Sequence, residues 1–146
     1  MFLTFFKKAD AVKRASPKLR REGPEHPGKW KLLSLGGDRL WNHILLQAVA
    51  DQADLTVMPI DDFEQGLSSE FDLIVLDASD TQIGHIRRMV ADMRLARADA
   101  IIVVAFAAPG WRAVREVFIA GASDFVEKIP DVSYLRQQLF SHIHLQ

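Results

Sequence analysis

FDLIVLD, residues 71–77, is an almost unbroken apolar run closed by an aspartate. A strand this apolar is expected where helices cover both faces of a parallel sheet. IIVVA, residues 101–105, has the same character. Shorter strands read at residues 31–35, closed by Gly36-Gly37, at 55–58 and at 124–127. Helical periods fall between them. Asp38 caps a helix whose apolar face is Leu40, Ile44, Leu45, Ala48 and Val49. A short helix follows Asp61-Asp62, and longer ones cover about 83–95 and 111–119, the latter ending before Gly121. Val132, Leu135, Leu139 and Ile143 mark the last helix. Strands alternating with helices predict a doubly wound α/β domain on a five-stranded parallel sheet. Crossovers in such units are right-handed, and ligands sit outside the carboxyl ends of the strands. Those ends are Gly36-Gly37-Asp38, Ile60-Asp61, Asp77, Phe106 and Lys128.

The 146 residues suit one domain, and 49% hydrophobic with 25% charged residues excludes a disordered or collagen-like chain. No apolar run approaches the roughly 20 residues of a membrane-spanning helix. The absence of cysteine excludes disulfides, thiolate zinc sites, iron–sulfur clusters and cysteine nucleophiles, and fits a reducing compartment. The net charge of -1 conceals two opposed parts. Residues 1–31 hold nine basic and three acidic side chains, a net of +6, whereas residues 32–146 hold nine basic and sixteen acidic, a net of -7.

Residues 1–29 are expected to form a basic amphipathic helix and a Pro/Gly linker, ahead of the main domain at 30–146. Phe2, Leu3, Phe5, Phe6, Ala9 and Val12 recur at roughly helical spacing, with Lys7, Lys8, Lys13 and Arg14 beside them. Pro17 ends such a helix, and residues 23–28 are turn-forming. A signal peptide is not indicated, because the apolar stretch precedes the basic residues and no small-residue cleavage site follows. The helix is expected to dock through Phe2, Phe5, Phe6, Lys7 and Lys8 on its own domain or in a homodimer. Peripheral contact with an anionic membrane is the alternative. Nucleic acid is not expected as a partner, since no recognition motif accompanies the charge.

AGASDFVEK, residues 120–128, together with LIVLD, residues 73–77, resembles the receiver domain of bacterial response regulators, the CheY-like family. The resemblance covers about residues 31–145 and implies the flavodoxin/CheY-like strand order 2-1-3-4-5. It is also similar to the atypical receiver domains of TadZ/CpaE-type pilus-assembly proteins. The resemblance implies that Asp77 is the candidate phosphoacceptor and Lys128 its charge partner. A carboxylate that meets a dianionic phosphoryl group needs cations gathered around it. In the family a magnesium ion, held mainly by an acidic pair after the first strand, supplies part of that charge. Gly36 and Gly37 stand at those positions here, leaving Asp38 and Asp77 as the metal candidates. Magnesium demands several hard oxygen ligands, so the loss of two carboxylates weakens it. The switch position, a Ser or Thr hydroxyl in the family, falls on Phe106, which cannot donate a hydrogen bond and whose bulk competes for the phosphoryl space. Phe125 takes the aromatic position of the last strand. The family's proline directly after the lysine is displaced to Pro130.

Competing readings of these residues are plainer. Asp77 can cap the turn that follows it, and Lys128 can simply tie two strand ends together. Gly36-Gly37 lacks phosphate-loop spacing. His43 and His85 read as helix-surface residues, His142 and His144 as tail residues. Trp41 and Trp111 border helices near the same rim, where packing is the first expectation and a partner patch the second.

The resulting expectation is an atypical receiver-like signalling domain, not an enzyme, that acts by protein–protein contact in the cytoplasm. It needs no cofactor, and magnesium enters only if Asp77 is a working phosphoacceptor. The implied partners are a histidine kinase, an output protein or a second copy, docked through Arg112, Arg115, Tyr134 and Arg136 on the fourth helix, fifth strand and fifth helix. Two alternatives stand beside it: a functional phosphoacceptor receiver, and a small flavodoxin-like nucleotide or flavin binder.

Overall fold

A computed structural model describes residues 29–67, 70–79 and 81–144. The N-terminal helix and linker expected before Lys29, with Phe2, Phe5, Phe6, Lys7 and Lys8, lie outside the described residues. The strands are β1 (Trp30–Leu35), β2 (Ala53–Met58), β3 (Leu73–Asp77), β4 (Ile101–Phe106) and β5 (Asp124–Glu127). The helices are α1 (Arg39–Val49), α2 (Phe63–Leu67, entered through a 3-10 turn at Ile60–Asp62), α3 (Ile83–Ala96), α4 (Trp111–Ala120) and α5 (Val132–His144). All pairings are parallel in the order β2-β1-β3-β4-β5, as the resemblance implied. β2 begins two residues earlier than its apolar pattern suggested, because Ala53 pairs with Trp30 and the Trp30 N–H reaches the Gln52 carbonyl at 3.0 Å. No helix among the described residues is long and apolar enough to cross a membrane.

Period-two alternation sorts the sheet residues into two cores. Leu33, Leu35, Ile74, Leu76, Ile102, Val104 and Phe106 pack with α3 and α4. Leu32, Leu73, Val75, Ile101, Val103, Ala105 and Val126 pack with Trp41, Leu45, Ala48 and Val49 of α1 and with Leu135, Leu139 and Phe140 of α5. Two buried or half-buried charges hold the lower rim together. Asp72 accepts from the Lys31 N–H at 2.8 Å, while its own N–H donates to the Lys31 carbonyl at 2.7 Å, so β3 is pinned to β1 where both begin. Arg94 on α3 sends Nε and Nη2 to the Gly121 carbonyl at 3.0 and 2.9 Å, and Nη1 to the Ala100 carbonyl at 2.7 Å. Its Nη2 also reaches Ser123 Oγ at 3.2 Å, the oxygen that accepts from the Ile102 N–H. Gly121 has φ +123°, and a Cβ there would meet Arg94 Cβ and Cγ at 3.0 Å, so the glycine admits both the turn and the arginine.

Arg94→Met removes the donor common to these carbonyls while keeping the apolar stem. Leaving buried acceptors unpaired costs about 1–3 kcal/mol each. Urea unfolding is therefore expected to show a clearly lower midpoint with an unchanged slope.

Candidate functional site

The parallel sheet brings the ends of β3 and β5 to one rim. Asp77 is the last residue of β3, in register with Ala105. Lys128 follows β5 directly, and its N–H donates to the Phe106 carbonyl at 2.8 Å, which sets where its side chain starts. The two meet: Lys128 Nζ donates to Asp77 Oδ2 at 2.7 Å, with side chains 13% and 5% exposed. The other carboxylate oxygen, Oδ1, accepts from the Ser79 N–H at 2.8 Å. Lys128 Nζ also donates to Ser79 Oγ at 3.0 Å. Every oxygen of the Asp77 carboxylate thus has a donor from the protein itself.

The loop after β1 forms the next wall. Gly36 and Gly37 have φ values of +82° and +88°, a region disfavoured for residues with a Cβ. A Cβ on Gly36 would lie 3.6 Å from Asp77 Cβ, and one on Gly37 would lie 3.3 Å from Asp77 Oδ2. These two positions therefore face Asp77 without contributing a side chain. The space is taken instead by Trp41, since a Gly37 Cβ would sit 2.6 Å from its Cδ1, closer than real contacts allow. The indole is 4% exposed, and Lys128 Nζ stands 5.3 Å from its ring centroid, within cation–π range. Its Nε1 is buried without a hydrogen-bond partner. Asn42 fixes the loop, donating to the Gly36 and Asp38 carbonyls at 3.2 Å each and accepting from the fully buried Ser34 hydroxyl at 2.7 Å.

Asp38 is exposed, and its Oδ1 accepts from the Trp41 N–H at 2.7 Å as the cap of α1. That bond seats the first turn of α1 and hence the indole. Among the described residues no group of three or more metal-capable side chains gathers. Hard divalent cations take several oxygen ligands, and the described residues around Asp77 bring one carboxylate, two glycines and an ammonium group.

Phe106 ends β4 with its side chain on the sheet face opposite to Ala105. It belongs to the core shared with α3 and α4, edge-to-face with Phe125 at 6.5 Å, and Phe125 in turn meets Phe118 at 6.2 Å. The reason is strand alternation. Ala105, the register partner of Asp77, belongs to the core on the α1 side, so the next residue turns to the other face. Lys128 contacts the aspartate, and Trp41 shares with it the space beside Gly37. The peptide before Pro130 is trans.

The expected four-residue docking surface also divides. Arg112 and Arg115 are exposed on α4 beside Trp111 and Ile119, which are 77% and 72% exposed. Tyr134 packs against the α1-side core and accepts from the Glu127 N–H at 3.3 Å, along the outer edge of β5. Arg136 pairs with Asp51 beyond the end of α1, and this hydrogen bond holds the Asp51 carboxyl below its usual range. Two residues apart on a helix are about 200° apart around it, so Tyr134 and Arg136 cannot share a face. His43 and His85 are exposed on α1 and α3, as expected.

The sequence places Trp41 near this rim as a packing residue but does not set it beside Lys128, and it does not single out the Ser79 hydroxyl. The signal for Trp41 was present: a Gly-Gly-Asp turn followed three residues after the cap by a large aromatic, where only glycine leaves room.

No protein-family model and no curated protein sequence matches this chain. Solved structures do. A response regulator from Thermotoga maritima superposes with a TM-score of 0.72 at 17% identity, over 80% of this chain and 98% of that one. TadZ from Pseudomonas aeruginosa PAO1, a CheY-like protein, gives 0.70 at 15% identity over 81% and 95%. An atypical orphan response regulator with a phosphorylation-independent regulatory mechanism gives 0.63 at 16% identity over 80% and 97%. The described residues have the fold of a response-regulator receiver domain.

Lys128→Met strands a buried carboxylate. Breaking a buried pair from one side costs about 3–5 kcal/mol, whereas replacing both charges is often nearly neutral. Chemical denaturation is expected to show a large loss for Lys128→Met and recovery of most of it in Asp77→Asn/Lys128→Met.

Proposed function

We propose that this domain is an atypical receiver-type signalling module that acts by protein contact, without enzymatic activity and without magnesium-supported phosphorylation. The observation that carries it is the loop after β1, where Gly36 and Gly37 face Asp77 at φ +82° and +88° and bring no carboxylate to it. A phosphoryl group arriving there must displace the lysine from a buried pair. It finds no acidic loop to hold a metal and no hydroxyl at Phe106. The lysine supplies the positive charge that a metal would otherwise bring, so the rim is held closed with no cofactor. A cytoplasmic setting goes with this reading.

The contact surface proposed is the outer face of α4. Trp111, Arg115 and Ile119 follow one another at helical spacing, with Arg112 beside them. Exposed tryptophan and arginine are the residue types that most often anchor interfaces. A second copy of the chain is the partner proposed for this face. An output protein is the partner of the signalling step.

The second reading is a working phosphoacceptor served by a histidine kinase. It is favoured by one observation, the placement of Asp77 at the carboxyl rim in contact with Lys128.

Full-length protein incubated with magnesium and a small acyl phosphate is expected to keep its unmodified intact mass. A phosphoryl adduct that disappears in Asp77→Asn overturns the proposal.

For α4, sedimentation across a concentration series is expected to show self-association. Trp111→Ser/Ile119→Lys should weaken it about tenfold or more, equivalent to ~1.4 kcal/mol, while the unfolding midpoint stays put. A monomer at every concentration removes the second copy as partner.

A further inference from the structure

Between Arg39 and Arg87 the chain contains no lysine or arginine. That stretch forms most of α1 and all of β2, α2 and β3. β2 is an edge strand of the sheet, and its outward peptide groups are open to pairing or to cover. Asp54 on β2, Asp61 in the following turn and Glu64 on α2 are exposed, and Asp62 is half-buried. Val57 on the same strand is 47% exposed. The described ion pairs join Arg87 to Glu116, Arg97 to Asp99, Lys128 to Asp77 and Arg136 to Asp51, and none involves these four carboxylates. The edge is therefore an acidic strip with an exposed apolar residue, and its one cross-strand cation is Lys31 on β1, the register partner of Asp54.

Residues 1–28 carry the opposite charge: seven basic against three acidic side chains. They join the domain beside the start of this strip. Lys29 Nζ donates to the Ala50 carbonyl at 2.9 Å, and the Trp30 N–H to the Gln52 carbonyl, one residue before β2. The six residues of β2 span about 20 Å, and the six linker residues 23–28 can extend over a similar length. Lys18, Arg20 and Arg21 thus come within reach of Asp61, Asp62 and Glu64 at the far end of β2, and a less extended linker leaves them within reach of Asp54. The outer face of α4 carries Arg112 and Arg115, which repel the same segment.

We propose that the basic segment 1–28 docks along the acidic β2–α2 edge of its own domain. The contact covers a sheet edge that no strand among the described residues pairs with, and it neutralises the strip. It also keeps the basic side chains away from other anionic surfaces unless those compete successfully. Tethering favours it, because the segment stays at high local concentration at the edge it leaves from.

The test uses the full chain. Zero-length carbodiimide cross-linking of mixed isotope-labelled and unlabelled protein is expected to link Lys13 or Lys18 to Asp54, Asp61, Asp62 or Glu64 within single copies. Trypsin cleavage after residues 14–21 is expected to be roughly fivefold or more faster in Asp54→Asn/Asp61→Asn/Asp62→Asn/Glu64→Gln than in the unaltered protein. The unaltered protein should approach that rate at about 0.5 M salt, where screening acts over a few Å. Arg112→Gln/Arg115→Gln should leave the rate unchanged. Three results overturn the proposal: links only between copies, equal cleavage of the unaltered and neutralised chains, or protection that appears only with vesicles of anionic lipid.

Discussion

Parallel pairing of all five strands is the constraint from which the rest follows. It forces a crossover after every strand, and the crossovers place helices on both faces of the sheet. The strands must then be apolar on both sides, which is why residues 73–76 and 101–106 are buried throughout. It also sends every carboxyl end to the same rim. Asp77 and Lys128 are 51 positions apart in the chain, yet their charges lie 2.7 Å apart because β3 and β5 flank β4 and stop at matching heights. Ala105 stands between them in the sheet, a small side chain where a larger one would separate the pair.

That pair is costly to bury and valuable once buried. Removing a carboxylate and an ammonium from water costs several kcal/mol per ion, which their attraction offsets only with good geometry and full hydrogen bonding. Both conditions are met here through the Ser79 N–H and hydroxyl. The indole of Trp41 lowers water access from the α1 side and offers its ring face to the ammonium. Its position depends in turn on two glycines and on the Asp38 cap. The rim is therefore one connected object, in which a cap, a glycine turn, an aromatic and an ion pair hold one another in place.

Much of this was legible in the chain. The five strands, their order through the resemblance, the cap at Asp38 and the pairing of Asp77 with Lys128 all follow from apolar runs, spacing and motif. The identity of Gly36 and Gly37 already told that no carboxylate projects from those two positions. The docking surface was read less well. Strand alternation decides which face Phe106 takes, and helical rotation separates Tyr134 from Arg136. Asp72 and Arg94 were passed over because their roles are long-range: one polar side chain in an apolar run, and one arginine among several, carry no local sign of the carbonyls and amides they hold.

The sequence by itself determined the fold class, the rim and the charge division, because hydrophobic period, turn residues and ionisable side chains are properties of short stretches. Only the tertiary structure decided what stands beside Asp77. That depends on the angle at which α1 leaves the glycine turn, on which face each strand residue presents, and on how far the Lys128 stem must reach. These are set by packing between segments remote in the chain, and no short stretch contains them.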